Sequence, residues 1–205
     1  MGKDTENENC RRYIEAEVTE DEGWADGLAG KAESANFGTK RGTMYFKEFD
    51  IRWSDMDANR HLANSAYINF MSHTRMGFLM ENGFGHQELV KHNLGPVVFY
   101  EHIYYFKEVF GGKPVRVSLQ LKGLSEDGMY FEFIHNFYDH KGRNFASCEM
   151  MGGWIDLQTR KLTGLPEDLF QKLDHLQHSE DFRVLTKEDT RKFNKKPQDL
   201  ESMAK

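Results

Sequence analysis

Hydrophobic and polar residues alternate along the segment from Tyr45 to Trp53, with apolar side chains at positions 49, 51 and 53. This period of two predicts a strand with one buried face. From Ala66 onward the apolar residues recur at spacings of three and four, which predicts a helix over residues 65–82 that is apolar over most of its surface. Asn82 and Gly83 end it, because glycine easily adopts the backbone conformation that terminates a helix.

Four further strand-like segments follow the helix, separated by turn sequences rich in glycine. They are Gly95–Phe106, Val115–Leu121, Tyr130–Tyr138 and Phe145–Leu157. Gly152 and Gly153 lie inside the last of them and predict a bulge or a bend. This order predicts an α+β fold in which a curved, mostly antiparallel five-stranded sheet wraps around one long central helix.

The two ends of the chain are interpreted as appendages to a domain over residues 44–165. Residues 1–43 are acidic and interrupted by glycine, so we expect a disordered extension, and Met44 is a candidate for the native start. Residues 166–205 are expected to form a helical tail. Leu165–Leu173 has proline and acids where a first helical turn favours them, which predicts a short surface helix, and Thr186 is a possible second helix start.

Composition narrows the class of protein. The 205 residues, 39% hydrophobic and 13% aromatic, are sufficient for a single core. A net charge of -6 argues against a nucleic-acid partner, because phosphate binding needs clustered basic surface. No apolar run approaches the roughly 18 residues of a membrane span, and no secretion signal is visible, so we expect a cytoplasmic protein without a membrane partner.

The loop between the first strand and the helix carries the candidate chemistry. Asp57, Asn59 and His61 bring a carboxylate, an amide and an imidazole together there. Asn64 or Ser65 is the predicted N-cap, which leaves unpaired N–H groups and the positive end of the helix dipole beside Asp57. An ionisable acid facing such donors is suited to attack on a carbonyl, because the donors hold the oxygen while charge develops on it.

Each of these residues also has a purely structural interpretation. Asp57 could cap the loop or the helix and take no part in chemistry, because aspartate is common in such turns. Asn59 tolerates the left-handed backbone of a turn, and His61 can hold the loop through backbone contacts. Asp55 is expected to hydrogen-bond to the loop backbone and to take no part in the chemistry.

Other kinds of site find little support. The nine histidines include pairs such as His135 with His140 and His86 with His92, but these spacings do not suit one helical face. We therefore expect no metal and no converging cluster of acids and histidines. Cys148 is expected to pack in the core, with a catalytic role as the lesser alternative, and Cys10 is an incidental thiol. No phosphate loop and no serine-hydrolase elbow is present.

The segment Asp55–Tyr67 resembles the Asp-x-Asp-x-x-x-His-x-x-Asn-x-x-Tyr signature of the hotdog-fold thioesterases of the 4-hydroxybenzoyl-CoA and acyl-CoA type. The subset Asp57-x-Asn59-x-His61 is also similar to the catalytic loop of plant-type acyl-carrier-protein thioesterases. The resemblance extends over the chain from about Met44 to about Leu165, because the expected order of one helix and four strands follows the loop.

The resemblance implies hydrolysis of an acyl-CoA thioester to a free acid and CoA, without a cofactor. Asp57 would act as general base on water, or as a nucleophile that forms a mixed anhydride. The backbone N–H groups of Asn64 and Ser65 would polarise the carbonyl, Asn59 would orient the water or the carbonyl, and His61 could donate to the substrate. Relatives pair two subunits through a sheet edge, so a homodimer or homotetramer is expected.

The chain departs from the family pattern at three places. Arg60 stands where many members that act on CoA esters have glycine, and Ser72 and His73 stand where several have a helix carboxylate. Leu94–Pro96 offers no counterpart of the downstream Glu-Cys pair of the plant-type enzymes, so CoA is favoured over a carrier protein. Asp57 is then the candidate acid. The alternatives are a non-catalytic acyl-binding hotdog protein, an acyl-carrier-protein thioesterase, or a dehydratase.

Overall fold

A six-stranded sheet packs against one long helix in the computed structural model, which describes residues 43–198. The strands are β1 (Tyr45–Phe49), β2 (Leu94–Tyr105), β3 (Val115–Leu124), β4 (Tyr130–Tyr138), β5 (Asn144–Asp156) and β6 (His178–Val184). The helices are α1 (Asn64–Glu81), α2 (His86–Lys91) and α3 (Glu167–Asp174), with 3₁₀ turns at Trp53–Asp55 and Lys187–Arg191. The predicted fold class is confirmed. Residues 1–42, which include Cys10 and most of the expected N-terminal extension, lie outside the described residues.

Five strands lie in the order β1-β3-β4-β5-β2 and pair antiparallel with their neighbours, while β6 pairs parallel with β3. The sixth strand was not predicted, and it lies where a helical tail was expected. Its sequence, His-Ser-Glu-Asp-Phe-Arg-Val, has no apolar alternation. It is attached through the backbone: Leu121 N–H donates to the carbonyl of Gln177 over 2.9 Å, and Leu185 N–H to that of Leu124 over 3.1 Å.

Helix α1 contributes most of its apolar surface to the core and packs closely against β1 and β3. The ring of Phe70 stacks on Phe49 of β1 with centroids 4.5 Å apart. Gly77 leaves room for the ends of two β1 side chains, because a Cβ atom there would lie only 2.7 Å from the Tyr45 hydroxyl and 2.9 Å from Lys47 Nζ. Sequence periodicity placed the ends of this helix within one residue of those observed.

The bulge predicted at Gly152 and Gly153 does not lie in their own strand, β5. These two glycines instead allow neighbouring groups to pack closely against β5. A Cβ atom on Gly152 would lie 2.5 Å from the Val97 carbonyl oxygen and 2.7 Å from the Phe131 ring. The irregularity in register falls in the partner strand β2, between Val98 and Tyr100. The glycines therefore let β2 and β4 approach β5 at the place where β2 bulges.

Helix α3, which was predicted as a short surface helix, is more deeply buried than its sequence indicated. Leu169 and Leu173 of α3 are fully buried and join the main core. Cys148 is buried in the same core, as expected. None of the helices in the described part of the chain is long and apolar enough to span a membrane.

Candidate active site

Asp57 organises the loop between β1 and α1. Its Oδ1 atom accepts hydrogen bonds from the backbone N–H groups of Asn59, over 2.8 Å, and His61, over 3.0 Å. Its own N–H donates to the His61 carbonyl over 2.8 Å. The second carboxylate oxygen, Oδ2, has no hydrogen-bond partner among the residues that the structure describes. One oxygen thus holds the loop while the other stays available on an exposed side chain.

The tight turn at this loop places Arg60 in a left-handed conformation, with φ of 65°. Its N–H donates to the Asp57 carbonyl over 3.0 Å and closes the turn. A side chain larger than hydrogen is disfavoured in this conformation. That accounts for the glycine expected at this position, and the arginine departs from it with its side chain exposed.

Asp55, two residues earlier, is buried and committed to structure. Its Oδ2 atom accepts from the backbone N–H and from Nε of Arg52, both over 2.9 Å, and its Oδ1 atom accepts from Arg52 Nη2 over 2.8 Å. The Arg52 guanidinium holds the pKa of this carboxyl below its ordinary value. The carbonyl of Asp55 also accepts from Ala63 N–H over 2.8 Å. Asp55 therefore joins the end of β1 to the start of α1, through the backbone bonding that was expected.

The prediction that Asn64 or Ser65 is the N-cap of α1 is wrong by one position. Ala63 is the N-cap, with extended backbone and no side-chain cap hydrogen bond, since its position is set by the backbone bond to Asp55. Asn64 and Ser65 are the first two helical residues. In the described chain their N–H groups have no acceptor, as the helical geometry requires for its first turn.

The imidazole of His61 faces a carboxylate that the sequence did not indicate. Its Nε2 atom lies 2.8 Å from Glu108 Oε2, and its ring meets that of Phe110 edge to face with centroids 4.8 Å apart. Glu108 lies far along the chain, just after β2, so only the folded topology brings it to the loop. The backbone of His61 holds Asp57, while its side chain is engaged by Glu108.

These groups border an open cleft of about 300 Å³. Its lining residues come from the loop and the start of α1, and from the end of β2 with the chain that follows it: Asp57, His61, Leu62, Asn64, Tyr67, Tyr105, Phe106, Lys107, Glu108 and Val109. Three predicted site residues, Asp57, His61 and Asn64, line the cleft, whereas Asn59 and Ser65 do not. A high content of β-branched and aromatic residues located β2 in the sequence but could not show that its end forms this wall.

A cluster of acids with a histidine does converge elsewhere, contrary to expectation. Ligand atoms of Glu88, His92 and Asp168 lie within 4.8 Å of one another. His92 Nε2 is 3.1 Å from Glu88 Oε1, and Lys91 Nζ lies 3.0 Å from the same oxygen. Lys91 therefore already neutralises this carboxylate.

Comparison with known proteins gives a family. The model of the thioesterase-like superfamily matches residues 51–173. A comparison with curated proteins finds no significant match.

Solved structures resemble the fold. A hypothetical protein from Staphylococcus aureus, SAV2348, solved in complex with CoA, is 17% identical with a TM-score of 0.61 and covers 78% of this chain and 97% of its own. YbaW, a probable thioesterase from Escherichia coli, is 23% identical with a TM-score of 0.57, over 64% of this chain and 98% of its own. Slr0204, a 1,4-dihydroxy-2-naphthoyl-CoA thioesterase from Synechocystis, is 13% identical with a TM-score of 0.57, over 64% and 96%.

The family match extends over more than half of the chain and includes the Asp57 loop, α1 and the antiparallel strands that follow it. The chain belongs to the thioesterase-like superfamily and has the hotdog fold.

Proposed function

We propose that this protein is a thioesterase that hydrolyses acyl-CoA to a free carboxylic acid and CoA. The observation that carries the proposal is the Asp57 carboxylate. One of its oxygens is held by two backbone N–H groups. The other has no hydrogen-bond partner among the described residues and belongs to a side chain that lines the same cleft as Asn64, at the start of α1. Family membership supports thioester hydrolysis in general terms.

The chemistry requires a base and an oxyanion site. Asp57 Oδ2 takes a proton from water as the water oxygen bonds to the thioester carbon, and the carbonyl oxygen becomes an oxyanion. The first N–H groups of α1, on Asn64 and Ser65, donate to that oxyanion. Its collapse breaks the carbon–sulfur bond and releases CoA as thiolate, which is then protonated. Direct attack by Asp57 to form a mixed anhydride, which water then opens, is the alternative route.

The remaining loop residues have supporting roles in this proposal. Asn59 has a side-chain amide without a hydrogen-bond partner in the described chain, so it can turn toward the water or the carbonyl. His61 keeps Asp57 in place through its backbone. Its imidazole stays a second candidate donor to the substrate, next to Glu108.

CoA as the thiol carrier is supported by two kinds of observation. SAV2348 was solved in complex with CoA, and Slr0204 is a thioesterase of an aromatic CoA ester. On this chain, Lys107 lines the cleft, and Arg60, which precedes the lining residue His61 in the loop, has an exposed side chain. Both are cations that can bind the phosphates of CoA.

We also propose that the protein is a homodimer, with a homotetramer as the larger alternative. Strand β2 lies at the end of the strand order, and no strand among residues 43–198 pairs with its outer edge. Val98 and Tyr104 on this strand are 50% and 48% exposed, and Phe106 just beyond it is 55% exposed. Pairing of two β2 edges would satisfy the backbone and cover these side chains.

The test of function is release of CoA thiol by wild type and by Asp57→Asn. The amide oxygen of asparagine can still accept the two loop hydrogen bonds, so we expect the variant to fold and to lose kcat by about a hundredfold or more. Asp50→Asn, which changes an exposed acid ahead of the loop, is the matched control and should keep its activity. Near wild-type turnover by Asp57→Asn would contradict the assignment. Binding of acyl-CoA without thiol release by wild type would favour a non-catalytic acyl-binding protein.

A further inference from the structure

A seam runs between α1 and the edge strand β2. The helix packs closely against β1 and β3. Toward β2, in the described part of the chain, long side chains make the connection at two places. The rings of Tyr67 and Tyr105 meet edge to face with centroids 5.0 Å apart, and Arg75 Nη2 lies 3.1 Å from Glu101 Oε1.

These two pairs stand at the two ends of one stretch of the seam. Eight residues of helix separate Tyr67 from Arg75, a rise of about 12 Å. Four residues of strand separate Tyr105 from Glu101, which is about 13 Å. The tyrosine pair lines the proposed active-site cleft, so the stretch begins at the cleft and ends at the ion pair.

The stretch between the pairs is mainly apolar. Ile68 and Ser72 precede Arg75 by seven and three residues and therefore lie on the same helix face. Met71 is fully buried beside them, and Ile103 of β2 is half-buried on the face that carries Glu101 and Tyr105. Cys148 of β5, paired with Ile103, is fully buried in the sheet below.

The ion pair that ends this stretch is largely shielded from solvent and is held by further hydrogen bonds of Arg75. The side chains of Arg75 and Glu101 are only 11% and 16% exposed. Arg75 also donates to Ser72 Oγ over 3.1 Å and lies 3.3 Å from Nε2 of His135. Since the carbonyl of Ser118 can only accept, Nδ1 of His135 carries the proton of their 2.9 Å bond, and Nε2 accepts from Arg75.

A buried ion pair at a helix–sheet contact is rarely the most stable choice, because desolvation of the two charges offsets their attraction. A terminal methyl group pressed against this pair would remove more water from the charges without offering a hydrogen bond. The pair is therefore a barrier to an alkyl chain, whereas the apolar stretch before it favours methylene groups.

We propose that the Arg75–Glu101 pair closes the far end of an acyl groove that starts at the cleft, and thereby limits the substrate to acyl chains of about eight to ten carbons. The proposal rests on the thioesterase function proposed above and names its substrate class. Arg75 and Glu101 act as specificity-determining residues and take no part in bond breaking.

The test is a panel of straight-chain acyl-CoA esters from butanoyl to hexadecanoyl, with kcat/KM measured by thiol release. In wild type, kcat/KM should rise with chain length to a maximum near eight to ten carbons and be lower for hexadecanoyl-CoA by about tenfold or more. In Arg75→Leu/Glu101→Ala, which removes both charges and shortens both side chains, the maximum should move to longer chains. Its activity on butanoyl-CoA should change by less than about threefold, because that chain does not reach the pair.

Two controls separate this effect from a general loss of an ion pair. Lys91→Leu/Glu88→Ala removes the 3.0 Å ion pair of α2 and should leave the profile unchanged. Arg75→Lys keeps a cation opposite Glu101 and should keep the wild-type maximum. A wild type that prefers hexadecanoyl-CoA to octanoyl-CoA overturns the proposal even if the double variant fails to fold. An unchanged profile in the folded double variant also overturns it. Absence of thiol release from every ester overturns the proposed function itself.

Discussion

Asp55 and Asp57 lie two residues apart but differ in burial and in hydrogen-bond partners, and therefore in their expected roles. The Asp55 side chain is 4% exposed and is bound on both oxygens by Arg52, whereas the Asp57 side chain is exposed and uses one oxygen. Aspartate is common in turns for many reasons, so residue type alone does not separate the two. Burial and hydrogen-bond partners do.

Asp55→Asn should destabilise the protein by about 1–3 kcal/mol, because an amide cannot accept on both of its atoms from Arg52. Asp57→Asn should change the free energy of unfolding much less. Urea unfolding of both variants measures the difference, and equal midpoints for Asp55→Asn and wild type would contradict it.

His135 should make the stability depend on pH. Burial, with help from the charge of Arg75, lowers its pKa from 6.5 to about 3. Between these values the unfolded chain binds a proton that the folded protein does not, so the stabilising contribution is complete above pH 6.5 and is lost as the pH falls. The slope reaches at most about 1.4 kcal/mol per pH unit. The variant His135→Asn has no titrating group at this position and so lacks this pH-dependent contribution. The amount by which wild type is more stable than the variant should therefore decrease from pH 7.5 to pH 4.5. A constant difference would argue against a neutral buried His135.

The start of α1 is an element-scale feature, because the donors belong to the backbone and not to particular side chains. Asn64→Ala and Ser65→Ala should change stability by less than about 0.5 kcal/mol, since neither side chain caps the helix. Both should also keep most of kcat.

Proline at the same positions removes the N–H itself. Asn64→Pro falls at the first helical position, where proline fits the backbone, so circular dichroism should show a folded protein. Loss of one oxyanion donor should lower kcat by about a hundredfold. If folded Asn64→Pro and Ser65→Pro are as fast as their alanine partners, the helix does not polarise the carbonyl and the imidazole of His61 becomes the leading donor.

At the scale of the whole molecule, residues 178–193 form a C-terminal strap across the face of the sheet opposite α1. Phe131 and Phe133 belong to the core on the helix side, so Glu132 between them faces the strap. Glu132 is fully buried, and Arg183 Nη2 of the strap lies 3.0 Å from it. Further along, Lys192 Nζ reaches Glu149 of β5 over 3.3 Å. The strap thus begins as strand β6 beside β3 and reaches the middle strands β4 and β5 through Arg183 and Lys192.

Arg183→Met should cost about 3 kcal/mol, because it leaves the buried Glu132 carboxylate without its main cation. Arg183→Met/Glu132→Leu should recover most of this loss, since it removes both charges. Thermal or urea unfolding of wild type and the two variants measures these changes in the free energy of unfolding. A double variant no more stable than the single one would show that the strap is held by other contacts.

The β2 edge gives the prediction for assembly. Tyr104→Lys places a charge on the proposed interface and should weaken the homodimer by at least about tenfold, measured by light scattering over a dilution series. Phe46→Lys is the matched control, since Phe46 is exposed to 46% and Tyr104 to 48%, and Phe46 lies on β1 at the opposite end of the strand order. A fully active monomer of wild type at micromolar concentration would refute the dimer.

The sequence alone determined the elements whose signals are local. Apolar spacings of three and four located α1, and alternation, β-branched and aromatic content and turn sequences located β2 to β5 within a few residues, because these signals act over short stretches of chain. Turn glycines such as Gly128 and Gly142, with φ of 69° and 76°, were recognisable for the same reason: a positive φ favours glycine whatever the rest of the fold does. The Asp57 loop was recognisable because its residues are neighbours in the chain.

Tertiary structure decided the features that join distant segments. Strand β6 has a polar sequence without alternation and exists because β3 offers it backbone partners and the strap carries charges that match the sheet. Glu108 reaches His61, and Glu101 reaches Arg75, only because the topology places β2 beside the loop and α1. The N-cap of α1 is Ala63 and not the predicted Asn64 or Ser65, because the hydrogen bond from Ala63 N–H to the Asp55 carbonyl sets where the helix begins. Local pattern reports burial and backbone conformation, whereas contacts between elements depend on strand order and register, which no single segment encodes.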